Sequence, residues 1–86
     1  MRVTLDREFD ILSLSFVDNA RSYGGEEYDG IVVFHDMDSD AITGIMIYDF
    51  MKRYNNHSIK NVKLPVEVDF DNDIISKICR FRNSTI

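Results

Sequence analysis

The sequence has little of several residue types that would classify it at once. Its 86 residues include one cysteine, one proline and no tryptophan. The lone thiol, Cys79, cannot form an intrachain disulfide and cannot by itself build a thiolate metal cluster. No run approaches the roughly 18–20 apolar residues of a membrane span, and the N-terminus lacks the pattern of a signal peptide. We therefore expect a protein of a reducing cytoplasm, with no membrane partner.

Basic residues are scarce in the first part of the chain. Residues 1–50 contain three arginines against eleven carboxylates, a formal charge of −8, whereas residues 51–86 contain seven basic residues against four carboxylates, +3. The net charge of −5 excludes a generally basic nucleic-acid binder but leaves room for a local basic patch. The split indicates either an interaction face or attraction between two parts of one fold, and the sequence leaves both readings open.

Length and periodicity favour one small α+β domain over residues 1–86. Hydrophobic residues make up 44% of the chain, an ordinary share for a folded protein. Alternating apolar residues predict strands near 2–6 and 11–16, and apolar runs, the first rich in β-branched residues, predict strands near 30–35 and 41–48. The short Asp/Ser segment between the last two predicts a hairpin. Gly44 is expected to mark a bulge or a close backbone approach. Residues 18–29, with Gly24-Gly25, are expected to form a mobile loop.

The second part of the sequence mixes helical and alternating patterns. Asp49 is expected to cap a short helix over 50–54. Residues 59–70 alternate again, but Pro65 places them at a sheet edge or in a merely extended segment. The cluster at 71–73 is expected to cap a C-terminal amphipathic helix. The resulting fold prediction is an antiparallel four-stranded meander with the short helix and the C-terminal helix packed on one face.

Three stretches of the sequence carry a family resemblance. They are Met1–Phe16, Asp29–Asp36 (Asp-Gly-Ile-Val-Val-Phe-His-Asp) and Gly44–Asp49 (Gly-Ile-Met-Ile-Tyr-Asp). Over residues 1–54 the chain resembles the small bacterial proteins of domain-of-unknown-function family 2283, which leaves 55–86 as a C-terminal extension. The resemblance implies a small β-rich cytoplasmic protein without an established activity. Because members are often encoded beside small toxins, it also implies an antitoxin-like role.

No catalytic or metal-binding pattern is complete in the sequence. Asp36, Asp38 and Asp40 have the first spacings of a calcium loop, but its glycine and its bidentate glutamate are missing. His35 and His57 lack the close spacing of a zinc pair. Cys79 borders an apolar stripe, where a buried, inert thiol is the usual case. We predict no enzyme and no cofactor.

The leading functional hypothesis is a non-enzymatic protein-interaction module that binds a basic partner, such as a small toxin. Its predicted contact residues are Glu26, Glu27 and Asp29. One alternative is a homo-oligomer that associates through the apolar stripe of the last helix, formed by Ile74, Ile78 and Phe81. The other alternative is nucleic-acid binding through the basic residues of 52–82 around Tyr54, which the acidic first part disfavours.

Overall fold

A computed structural model describes residues 1–17 and 21–78 of the chain. Five strands form one antiparallel sheet in the order β1-β2-β5-β4-β3. Their bounds are Arg2–Asp6 (β1), Ile11–Ser15 (β2), Ser22–Tyr28 (β3), Ile31–Asp36 (β4) and Ile42–Tyr48 (β5). The predicted α+β class and antiparallel sheet are confirmed. The predicted count of four strands and their meander order are wrong, because β2 pairs with β5 rather than with the next predicted strand.

The additional strand, β3, lies where the sequence predicted a mobile loop. It pairs with β4 through a two-residue turn, with Tyr28 opposite Ile31 and Ser22 opposite Asp36. Glycine and acidic residues are depleted in strands, so the composition of this stretch concealed it. The Asp29-Gly30 turn is itself a hairpin signal. The second hairpin, which joins β4 to β5 through the Asp/Ser segment, was predicted and is confirmed.

The alternation of the strands puts one face of the sheet under a helical layer. Side chains from the three inner strands form the buried face, each with 2% or less of its surface exposed: Leu12, Leu14, Ile31, Val33, Ile45 and Ile47. Buried side chains from the second part of the chain cover them: Phe50, Ile59, Ile74 and Ile78. Burial of this apolar surface is the main source of the fold's stability.

The predicted short helix is confirmed as α1 (Phe50–Asn55), but its predicted cap is wrong. Asp49 adopts a left-handed conformation and its side chain makes no capping hydrogen bond. Asp10 supplies the cap instead, because its carboxylate accepts hydrogen bonds from the backbone N–H groups of Met51 at 2.8 Å and Lys52 at 3.2 Å. The turn between β1 and β2 therefore fixes the start of a helix forty residues later in the sequence.

Residues 58–78 form the rest of the covering layer. A 3-10 turn at Ser58–Asn61 leads into residues 62–69, which belong to no helix or strand and include a bend at residues 65 and 66. Residues 59–70, predicted as an edge strand or an extended segment, therefore form no strand of the sheet, and residues 59–61 are in the 3-10 turn instead. A π-helical segment, Phe70–Ile75, continues in helical conformation to residue 78. Its cap is Asp69, whose side chain accepts from the Asn72 N–H, rather than the predicted cluster at 71–73. Among the described residues no helix is long and apolar enough to cross a membrane.

Candidate functional site

The strand β3 forms one edge of the sheet and is the most exposed element of the described chain. All seven of its residues, Ser22–Tyr28, are exposed. Within residues 1–17 and 21–78, no strand pairs with its outer side. Unpaired edges are templates for a further strand, and native proteins usually protect them. The three acidic residues predicted to contact a partner lie in this strand and the turn that follows it.

A group of four polar side chains connects β3 to β4 and to the turn after β4. His35 Nε2 lies 2.7 Å from Glu27 Oε2, and His35 Nδ1 lies 3.1 Å from the Asp40 carbonyl oxygen. The Tyr23 ring stacks on the His35 ring at 5.5 Å between centroids, and the Tyr23 hydroxyl donates to the Asp40 carboxylate. We call these side chains, Tyr23, Glu27, His35 and Asp40, the His35 cluster.

The geometry of the His35 cluster favours the charged form of the imidazole. A carboxylate and a carbonyl oxygen can only accept hydrogen bonds, so both ring nitrogens of His35 must donate to satisfy both contacts. The hydrogen bond to Glu27, and then that to the Asp40 carbonyl, raises the pKa of His35 above its ordinary value, against a smaller opposing effect of desolvation. The hydrogen bond to Asp40 likewise raises the pKa of the Tyr23 hydroxyl. Protonated His35 therefore offsets the charge of Glu27.

A bulge in β3 brings Glu27 to this position. The pairing register of β3 shifts between Glu26 and Tyr28, which leaves Glu27 as the extra residue of the strand. A bulge re-aims a side chain relative to the regular alternation. Glu26 takes a different partner, because its carboxylate accepts from the Gly30 N–H at 3.0 Å and so closes the turn.

Hydrogen bonds from α1 and β5 hold the end of the β3–β4 hairpin. Arg53 Nη2 donates to the Asp29 carbonyl oxygen at 3.1 Å, and Tyr48 N donates to the Gly30 carbonyl oxygen at 2.9 Å. Gly30 has φ of 73°, a conformation that favours glycine, and a Cβ there would contact the Arg53 guanidinium. Glu26, Glu27 and Asp29 therefore lie in a hydrogen-bonded hairpin. The expectation that residues 18–29 form a loop is wrong for Ser22–Tyr28, which form a strand, and residues 18–20 lie outside the described part of the chain.

Two of the three residues predicted for self-association are core residues. Ile74 is fully buried and Ile78 is 6% exposed, both in the core beneath the sheet. A second copy cannot contact side chains that one chain already encloses, so these two residues are corrected to core positions. Phe81, the third residue of that prediction, and Cys79 lie outside the described residues.

Tyr54, the aromatic residue predicted to stack on nucleic acid, already has partners within the fold. Tyr54 stacks on Phe50 at 6.1 Å, and its hydroxyl donates to Asp71 Oδ1 at 2.5 Å. Arg53 is engaged with the hairpin turn. The exposed lysines of the described part are Lys52, Lys60, Lys63 and Lys77. Arg80 and Arg82 lie outside the described residues.

Of the remaining candidates from the sequence, Asp36 has hydrogen-bond partners within its own turn. The Asp36 carboxylate accepts from the N–H groups of Ser39 at 2.9 Å and Asp38 at 3.0 Å, and these bonds lower the pKa of Asp36. The Asp36 carboxylate thus stabilises the β4–β5 turn through these hydrogen bonds. His57 lies at the start of the 3-10 turn, far along the chain from the His35 cluster. Within the described residues no group of three or more histidine, cysteine or acidic side chains is arranged to hold a metal ion.

Comparison with models of protein families, with curated proteins and with solved structures found no match in any of the three. The resemblance in residues 1–54 therefore stays a prediction.

Proposed function

We propose that the protein is a non-enzymatic interaction module that binds a basic protein partner at the β3–β4 hairpin. The observation that carries this proposal is that every residue of β3 is exposed; β3 is an edge strand that bears Glu26 and Glu27 and leads into Asp29. The first part of the chain, with a formal charge of −8, supplies a negative field around this edge. Such a field speeds the encounter with a cationic partner and disfavours acidic ones.

The hydrogen bonds that hold the hairpin turn support the same proposal. Hydrogen bonds from Arg53 to Asp29 and from Gly30 to the Glu26 carboxylate hold the acidic end of the hairpin in one arrangement. A surface that is ordered before binding loses less conformational entropy on association than a mobile loop does. The hairpin therefore presents its carboxylates as a preformed surface. The family resemblance adds the expectation that the partner is a small toxin in the bacterial cytoplasm.

The test compares two variants of equal charge. In the first, Glu26→Gln, Glu27→Gln and Asp29→Asn neutralise the hairpin; in the control, Glu8→Gln, Glu67→Gln and Asp73→Asn neutralise three exposed residues elsewhere. Each variant and the unmodified chain is coexpressed with the protein encoded by the adjacent reading frame, and the affinity of the purified pair is measured by calorimetry at two salt concentrations. We expect the hairpin variant to lose at least about tenfold in affinity and the control to lose much less.

Two outcomes contradict the proposal. One is an equal loss in both triple variants, which would mean that only the net charge matters. The other outcome has two parts. The protein encoded by the adjacent reading frame is not basic and does not bind the chain, and every basic protein captured by the unmodified chain is captured equally by the hairpin variant.

A further inference from the structure

We infer that the partner binds by strand addition: an extended segment that carries lysine or arginine pairs with the outer edge of β3 as a sixth strand of the sheet. This inference rests on the proposed function and specifies its binding mode. It follows from the direction of the backbone groups, from the bare centre of the strand and from the charge beside it.

The first step is the phase of the β3–β4 ladder. The pairs Ser22–Asp36 and Tyr23–His35 extend to Arg21 opposite Met37, and Met37 N donates to Arg21 O at 2.8 Å. In an antiparallel ladder, residues that hydrogen-bond to the neighbouring strand alternate with residues that do not. Residues 21, 23 and 25 therefore direct their N–H and C=O groups towards β4. Ser22, Gly24 and Glu26 direct theirs outward, where a further strand can bind them.

The second step is the absence of side chains at the centre of this edge. A Cβ added at Gly25 would have no atom within 4 Å, so this side of the strand is open. A Cβ added at Gly24 would lie 2.5 Å from the Phe34 ring, which packs across the glycine on the other face of the sheet. The strand also has no lysine or proline, two residues that native edges commonly use to block pairing. The bulge after Glu26 limits the accessible stretch to residues 22–26.

The third step is the chemistry of the added strand. A residue directly opposite Glu26 in an antiparallel pair would have its Cβ about 5 Å away, a distance at which opposite charges stabilise the pair and like charges destabilise it. Glu27 and Asp29 extend the negative charge beyond the paired stretch. A second copy of this chain that pairs through its own β3 is a poorer occupant, because Ser22–Tyr28 contains no basic residue to place opposite Glu26. Charge complementarity therefore favours a cationic segment of another protein.

The test uses a short acetylated peptide of alternating lysine and valine, with a control peptide of equal charge in which the central valine is proline. Binding is followed by amide hydrogen exchange and by titration on the full chain. We expect the first peptide to slow exchange at Ser22, Gly24 and Glu26, and to bind about tenfold or more tightly than the proline peptide. Amides of β1, at the opposite edge, should not change.

Matched substitutions in the protein complete the test. Gly24→Pro removes an outward N–H without removing a bond to β4, and Gly24→Ala is its control, because both introduce the same Cβ against Phe34. If these variants fold poorly, Ser22→Pro against Ser22→Ala repeats the comparison, because both lose the Ser22 hydroxyl that lies 2.7 Å from the Thr43 hydroxyl. We expect each proline variant to bind the peptide at least about fivefold more weakly than its alanine control.

The outcomes separate the binding mode from the proposed function. If the two peptides bind equally and the proline variants match their controls, while neutralising the hairpin abolishes binding, strand addition is overturned and the acidic interaction surface stands. If the peptide causes no protection at β3 while charge substitutions still weaken binding, only strand addition is overturned. If neither backbone nor charge substitutions change binding, both are overturned. Protection of the β3 amides that grows with protein concentration and needs no peptide would assign the edge to a second copy and overturn the cationic occupant.

Discussion

Two strands of equal length, β5 and β3, differ in burial because one lies at the centre of the sheet and the other at its edge. β5 (Ile42–Tyr48) lies at the centre, paired on both sides, and has four buried residues; β3 (Ser22–Tyr28) lies at the edge and has none. Both contain glycine, but Gly44 of β5 is in close contact with a neighbouring strand, whereas Gly25 of β3 faces open space. Burial at the centre of the sheet therefore stabilises the fold, whereas β3 contributes no buried side chain.

The largest expected effect is at the centre. Ile47 of β5 is fully buried between β2 and β4, opposite Leu12 on one side and Ile31 on the other. Ile47→Ala removes buried methyl groups and leaves a cavity, and it should lower the free energy of unfolding by roughly 2–5 kcal/mol. Denaturant unfolding measures this loss. A loss below about 1 kcal/mol would show that the central strand is not the stabilising element that its burial implies.

A smaller loss is expected from the glycine of the same strand. A Cβ at Gly44 would lie 2.8 Å from the Leu14 carbonyl oxygen, which belongs to the paired backbone and cannot rotate away. Gly44→Ala should therefore force β2 and β5 apart and destabilise the protein by about 1–3 kcal/mol. This close approach was expected from the sequence, and the structure confirms it together with a register shift between Phe34 and His35. Thermal unfolding that matches the unmodified chain would contradict it.

The helix cap at Asp10 comes next in size. Asp10→Ala removes the acceptor of two backbone N–H groups of α1 and places alanine at φ of 55°, so we expect a loss of about 1–2 kcal/mol. Asp10→Asn is the matched control, because asparagine tolerates this conformation and keeps one carbonyl acceptor. Denaturant unfolding of the pair should show the smaller loss for asparagine. Equal losses would mean that the carboxylate charge, rather than the hydrogen bond, stabilises the helix.

The sequence predicts four of the five strands but not the edge strand β3. β1 and β2 follow from apolar alternation, because burial on one face imposes period two, and β4 and β5 follow from apolar runs rich in β-branched residues. The cap at Asp10 depends on a contact between residues that are forty positions apart, so no local pattern reveals it. The His35 cluster depends on the bulge: a regular hairpin closed by Tyr28 and Ile31 would place Tyr23 opposite Asp36, and the extra residue moves it to His35. No residue type in β3 specifies that bulge.

The His35 cluster predicts a pH dependence that is confined to the edge. The pKa of His35 is raised in the folded protein by its contact with Glu27. This ion pair therefore contributes its full stability below about pH 6.5, the pKa of histidine in the unfolded chain. The contribution is lost as the pH rises through the pKa of His35 in the folded protein. Denaturant unfolding between about pH 5.5 and 8.5 should therefore show stability falling with rising pH. Glu27→Gln should flatten this slope and lower the pKa of His35 measured by NMR. An unchanged slope in the Glu27→Gln variant would show that this ion pair does not cause the pH dependence.

The smallest effect is expected where β3 is most open. Gly25→Ala adds a Cβ that meets nothing within 4 Å and restricts the unfolded chain, so it should stabilise the protein by about 0.5 kcal/mol. The neighbouring Gly24→Ala has to displace the Phe34 ring and should be less stable than Gly25→Ala, although the ring can move where the backbone beside Gly44 cannot. Denaturant unfolding should thus rank the three alanine variants with Gly25 first, Gly24 second and Gly44 last. A destabilised Gly25→Ala protein would show that this face of β3 is covered rather than open.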